Sequence, residues 1–220
     1  GLGDVYKRQA MKRDYQEIQW LFFDIGSTLV DEEKAYEARI KTAISGKNIS
    51  YQLFYDKMLS YFKENKKGDL EALSFYGLER PAWRTDLETL YPQTKGILEQ
   101  LGQDYKLGII ANQLPGLEQR LNAFGILDYF SAIFSSADLG LAKPDPAIFR
   151  LALQKTNCLP HQAIMIGDRL DNDIVPARRI GMKTIWIKQG FSRLAQVKNL
   201  EEGADWTVEK LTDLLPILLS

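Results

Sequence analysis

Four short polar clusters stand out in the 220-residue sequence, each beside an apolar run. Asp24 and Thr28 follow Trp20-Leu-Phe-Phe23, and Asn112 follows Lys106-Leu-Gly-Ile-Ile-Ala111. Lys143-Pro-Asp145 stands just ahead of Pro146–Lys155, and Asp168, Asp171, Asn172 and Asp173 follow Ala163-Ile-Met-Ile-Gly167. An aspartate at a strand tip can attack as a nucleophile and form a covalent intermediate. Asp24, Asp168 and Asp173 would repel one another unless a hard cation lay between them. Mg²⁺ suits oxygen ligands and bridges to a phosphate. Lys143 supplies a point positive charge for that phosphate or for the Asp24 carboxylate. Asn112 can donate to a phosphoryl oxygen, and Thr28 either braces its loop or touches substrate. The chemistry indicated is phosphoryl transfer, or a related displacement by a carboxylate.

The elements that must position these residues read as strands alternating with helices. Trp20–Phe23 is a short apolar run without helical period, broken by turn residues, as expected of a buried parallel strand. Lys106–Ala111, Ala132–Phe134, Ala163–Ile166, Lys183–Ile187 and Trp206–Val208 repeat the pattern, with helices expected between them. Asp145 and Pro146 predict a helix start, as N-cap and first position. Alternation of this kind implies right-handed crossovers and a parallel sheet covered on both faces, whose C-terminal rim gathers the polar loops. Residues 31–90 differ. Helices are expected over Glu32–Ile44, after Ser50, around Leu70–Tyr76 and over Trp83–Leu90, with no strand signal. This block reads as an insertion emerging from the rim after the first strand.

Composition narrows the field. The 28 Lys and Arg against 29 Asp and Glu leave a net charge of -1, with no basic excess for nucleic acid or an anionic membrane. No apolar run is long enough to span a bilayer. Cys158 is the sole cysteine, so an internal disulfide is excluded and a reducing, cytoplasmic setting fits. Residues 1–10 differ in character from the stretch that begins at Met11 and suggest a non-native leader. Several nearby residues have plainer readings. Asp171 is expected to cap the next helix, Asn172 and Arg169 to be exposed, His161 to lie on the surface, and Cys158 to be inert.

Together the motifs Phe22-Phe-Asp-Ile-Gly-Ser-Thr-Leu29, Ile109-Ile-Ala-Asn112, Gly140-Leu-Ala-Lys-Pro-Asp-Pro146 and Ile166-Gly-Asp-Arg-Leu-Asp-Asn-Asp173 resemble those of the haloacid dehalogenase-like (HAD) hydrolase superfamily. The resemblance runs from about Trp20 to Leu219. It implies an α/β fold, a Rossmann-like parallel sheet with helices on both faces, formed by residues 11–30 and 91–220, plus a small all-helical cap, 31–90. By resemblance Asp24 is the nucleophile and a Mg²⁺ ligand, joined by the backbone carbonyl of Gly26, by Asp168 and by Asp173. Lys143 neutralises the phosphate of a small phosphorylated substrate, and the chain is a monomer or homodimer.

Two positions depart from the phosphatase pattern. Gly26 stands where a second aspartate normally serves as general acid and base, and Ala111 replaces a phosphate-binding Ser or Thr. Proton transfer help of that kind is worth ~10²–10⁴-fold in rate. The expected function is a Mg²⁺-dependent phosphatase. The rival expectations are a binding or regulatory protein with weak turnover, a phosphonoacetaldehyde hydrolase-like enzyme using a cap lysine, and a dehalogenase-like enzyme. A carboxylate or lysine standing above Gly26 would supply the missing acid and base.

Overall fold

The computed structural model describes residues 17–219; the suggested leader at 1–10 lies outside the described residues. In chain order, β1 (Trp20–Phe23) is followed by β2 (Val30–Asp31), then by α1 (Glu33–Ile44), α2 (Tyr51–Lys63) and α3 (Gly68–Phe75). Next come β3 (Thr89–Leu90), α4 (Thr94–Leu101), β4 (Lys106–Ala111), α5 (Leu117–Phe124), β5 (Ala132–Ser135), α6 (Ser136–Leu139) and α7 (Pro146–Lys155). The chain closes with β6 (Ala163–Gly167), α8 (Val175–Arg179), β7 (Lys183–Ile187), β8 (Trp206–Val208) and α9 (Leu214–Leu218).

Six strands form one sheet in the order β5-β4-β1-β6-β7-β8, every neighbouring pair parallel. β1 is central, with Phe23 opposite Ile109 on one side and Ile166 on the other. Its side chains alternate between faces, as the strand period of two requires. Leu21 and Phe23 pack with α4, α5 and α9 through Leu98, Leu101, Leu121 and Leu214. Trp20 and Phe22 pack with α7 and α8 through Phe149, Ala152 and Ala177. Each such large side chain contributes roughly 1.5–3 kcal/mol when buried. Gly108 is small because a Cβ there would stand 2.7 Å from the Phe22 ring. Strand order reverses in direction on either side of β1, and ligands of open α/β sheets bind beyond the strand ends at such a point.

The insertion is a three-helix unit with its own apolar cluster, including Tyr36, Ile40, Phe54, Met58, Phe62 and Leu73. Ser50 caps α2, accepting from the Leu53 N–H at 3.1 Å. α2 and α3 meet closely at Gly68, where a Cβ would stand 2.3 Å from the Met58 carbonyl. A buried Arg39–Asp69 pair at 2.7 Å ties α1 to α3.

The expected fourth helix over Trp83–Leu90 is not present. A 3₁₀ turn, Thr85–Leu87, leads into β3, which pairs antiparallel with β2. The two passes linking insertion to sheet lie side by side as this ribbon. With two residues per strand, the ribbon is too short to leave a periodic signal. The helix expected between β6 and β7 begins instead as a wide π turn, Leu170–Ile174, before α8.

Candidate active site

Asp24 is the first residue beyond β1, its N–H donating to the Ile166 carbonyl at 3.0 Å. The chain then turns tightly: the Ile25 carbonyl accepts from the N–H groups of Thr28, Leu29 and Val30. Ser27 sits in the left-handed region at φ 57. Gln189 braces this loop by donating to the carbonyls of Ser27 and Thr28 at 3.2 and 2.9 Å.

Asp168 follows β6, and the π turn brings Asp173 back against the strand end. Gly167 makes room, since a Cβ there would stand 2.4 Å from the Asp173 carboxylate. The Arg169 N–H fixes that carboxylate at 3.0 Å. π turns of this kind recur at functional sites.

Lys143 reaches the same point from the loop between α6 and α7. Asn112 holds it in place: the Lys143 N–H donates to Asn112 Oδ1 and Asn112 Nδ2 donates to the Lys143 carbonyl, both at 2.8 Å. The loop is stopped by Asp145, which caps α7 through the Ala147 N–H at 2.8 Å. Asn112 therefore works first on the Lys143 backbone, leaving one N–H for any ligand.

The carboxylates of Asp24, Asp168 and Asp173 each offer an oxygen within 4.8 Å of the others. Lys143 Nζ donates to Asp24 Oδ1 at 2.9 Å and to Asp173 Oδ1 at 2.5 Å, with its own side chain fully buried. Burial works to lower the Lys143 pKa, but Asp173 and Asp24 override it and hold the ammonium charged above its ordinary value. Burial lifts the Asp173 carboxyl, Lys143 pulls it back, and it settles at about 6. Asp168 is driven well above the carboxylate range by burial first and then by Asp24 and Asp173. Thr28 Oγ1 donates to it only at a long 3.4 Å. One ammonium cannot neutralise three carboxylates. An all-oxygen donor set of this charge fits a hard divalent cation such as Mg²⁺.

Three plainer readings need correction. Asn172 is 8% exposed, with Nδ2 directed at Asp173. Asp171 caps nothing; it pairs with the Arg169 guanidinium, so Arg169 is not a free surface charge. His161 is exposed, as expected, and Cys158 is buried.

One residue in this neighbourhood is not apparent from the sequence. The carboxyl of Glu32 stands over Gly26, its atoms 2.5 to 2.6 Å from where a Cβ on residue 26 would lie. Ser27 Oγ donates to Glu32 Oε1 at 2.9 Å. Burial pushes the Glu32 carboxyl up to about 7, with Lys67 opposing. A glycine in place of an acid, with another acid a few residues on, was the available signal.

The model of the haloacid dehalogenase-like hydrolases matches residues 21–187. The chain belongs to that family. It is similar to the glyceraldehyde 3-phosphate phosphatase of Pyrococcus furiosus, 31% identical, with 92% of this chain and 94% of the relative covered. Among solved structures it is similar to the HAD phosphatase of Thermococcus onnurineus, at TM-score 0.61 and 24% identity, covering 92% of this chain and 98% of the other. It is also similar to the HAD hydrolase YfnB of Bacillus subtilis, solved bound to magnesium, at TM-score 0.64 and 22% identity, covering 91% and 98%. These two structural likenesses speak for the HAD fold.

A cavity of about 280 Å³ adjoins the site. Glu32, Asn112 and Gln113 form part of its wall, and Arg39, Lys67, Arg80 and Trp83 come from the insertion side. Lys67 is engaged by the Tyr36 hydroxyl and lies 3.8 Å from Asp69.

Proposed function

We propose that the chain is a Mg²⁺-dependent phosphatase acting on small phosphorylated metabolites through an aspartyl phosphate on Asp24. The observation that carries this reading is the clustering of the Asp24, Asp168 and Asp173 carboxylates within 4.8 Å of one another, with the buried Lys143 ammonium paired to Asp24 and Asp173. The phosphatase names of relatives sharing most of their length with this chain support it. The three carboxylates, with the Gly26 carbonyl, would hold Mg²⁺. When bound, that ion would supply charge stabilisation to the transferring phosphoryl group.

The chain's own residues do the rest. Asp24, paired with Lys143 at 2.9 Å, attacks phosphorus in line with the leaving alcohol. Lys143 meets the charge that develops on the phosphoryl oxygens. Asn112 holds the Lys143 loop, and its remaining N–H is available to a phosphoryl oxygen. Thr28 steadies Asp168. Asp173 anchors Lys143 and turns it toward the reaction centre. Residues 31–90 act as a cap over the rim, excluding water and selecting the substrate through the cavity between.

The test is hydrolysis of an aryl phosphate and a panel of metabolite phosphates, three-carbon sugar phosphates first, with Mg²⁺ and with EDTA. Mg²⁺-dependent turnover that vanishes in Asp24→Asn is the expected result. Turnover surviving that substitution contradicts the assignment.

A further inference from the structure

The Gly26 backbone does not require glycine. Among the described residues, the glycines held at positive φ are seven others, Gly46 to Gly190, and Gly26 is not one of them. What the position requires is space. The Glu32 carboxyl carbon and both oxygens lie 2.5 to 2.6 Å from the place of a residue-26 Cβ. That is about the distance at which an aspartate carries its own carboxylate oxygens. An aspartate at 26 and the present Glu32 would contend for one volume.

Glu32 also has a fixed orientation and an outlet. Ser27 Oγ, on a buried residue, donates to Oε1 at 2.9 Å. Ser27 is itself clamped, because Gly190 packs directly on its hydroxyl. The Glu32 side chain forms part of the wall of the same cavity as Asn112, so it faces the volume where a substrate would enter. Glu32 lies at the start of α1 but makes no side-chain cap hydrogen bond there; Asp31 Oδ1 instead accepts the Glu33 N–H at 2.9 Å. Its carboxylate is thus not committed to the helix.

We propose that Glu32 is the general acid and base of this enzyme, delivered from the mouth of the insertion into the volume that Gly26 leaves free. The inference rests on the phosphatase reading above. In the first half-reaction an Asp24 oxygen bonds to phosphorus as the bond to the leaving oxygen breaks, and the Glu32 carboxyl gives its proton to that oxygen, releasing the alcohol. In the second, Glu32 takes a proton from water as the water oxygen bonds to phosphorus. The bond from phosphorus to Asp24 breaks, inorganic phosphate leaves, and Glu32 is again protonated.

The experiment compares wild type, Glu32→Gln, Glu32→Ala, the exchange variant Gly26→Asp/Glu32→Ala and Asp24→Asn. Each is assayed with Mg²⁺ on glycerol phosphate, a poor leaving group, and on p-nitrophenyl phosphate, a good one. Glu32→Gln keeps the shape, and circular dichroism checks its fold. Its expected loss on glycerol phosphate is about 10²–10⁴-fold, whereas p-nitrophenyl phosphate gives a burst of nitrophenol followed by slow turnover. Gly26→Asp/Glu32→Ala is expected to recover activity over Glu32→Ala, because the aspartate then occupies the same volume. Near-wild-type turnover of glycerol phosphate by folded Glu32→Gln overturns the proposal, as does equal loss on both substrates without a burst. If Asp24→Asn is inactive while Glu32→Gln is not, only the acid–base assignment falls. If Asp24→Asn stays active, the reading of an aspartyl phosphate on Asp24 falls with it.

Discussion

Replacing Lys143 by Met keeps most of the side-chain stem and removes the charge. In the native protein the ammonium donates to Asp24 at 2.9 Å and to Asp173 at 2.5 Å, with the Lys143 and Asp173 side chains fully buried. The variant leaves a cluster of three carboxylates without its buried cation. Breaking a buried pair by deleting one partner costs about 3–5 kcal/mol, because the abandoned charge stays desolvated. For a chain of this size 1 kcal/mol moves the Tm by roughly 2–4 °C, so the expected fall is about 6–20 °C. Urea unfolding in EDTA measures the free-energy loss, and thermal unfolding the fall in Tm. Mg²⁺ then provides the internal check: a cation bound to the native carboxylates stabilises by about 2.7 kcal/mol at a hundredfold excess over its Kd, and it recovers part of the loss. A variant within about 1 kcal/mol of wild type in EDTA, the worth of an exposed pair, would refute the claim that Lys143 holds the acid cluster together.

Three further outcomes are expected from the packing. Asp69→Ala strands Arg39 among α1, α3 and Trp83, where its remaining partners are the Pro81 carbonyl and the Trp83 ring. Urea unfolding is expected to register a loss of about 3–5 kcal/mol. Gly108→Val drives a side chain into the Phe22 ring, already 2.7 Å from a Cβ at that site, and should lower stability by about 1–3 kcal/mol in thermal unfolding. Burial pushes the Cys158 thiol up to about 11. Iodoacetamide at neutral pH should therefore modify the native protein far more slowly than the urea-unfolded chain.

Much of the framework was legible in the sequence because buried parallel strands announce themselves. Trp20–Phe23 and Ala163–Gly167 are wholly apolar and stop at a polar loop, and those loops meet at one rim in the folded chain. Asp24 and Asp168 stand out because each directly follows such a strand, Asp173 because it lies in the polar loop beyond one, and Lys143 because it stands just ahead of the capped start of α7. What stayed hidden depends on geometry without period. β2 and β3 have two residues each and gain their identity from one another. Asn172 and Asp171 were misread because a π turn, not a regular helix start, swings one inward and aims the other at Arg169. Glu32 was missed since the tight turn through Ile25 and Val30 folds it back over Gly26, a proximity visible only in three dimensions.

The central claim is that Asp24 carries the phosphoryl group. Acid-quenching the Mg²⁺-loaded protein during turnover of p-nitrophenyl phosphate, with mass spectrometry of its peptides, tests it directly. The expected result is one phosphoryl group on the peptide containing Asp24, lost once the substrate is exhausted and absent from Asp24→Asn. Steady turnover with the phosphoryl group on another residue would contradict it.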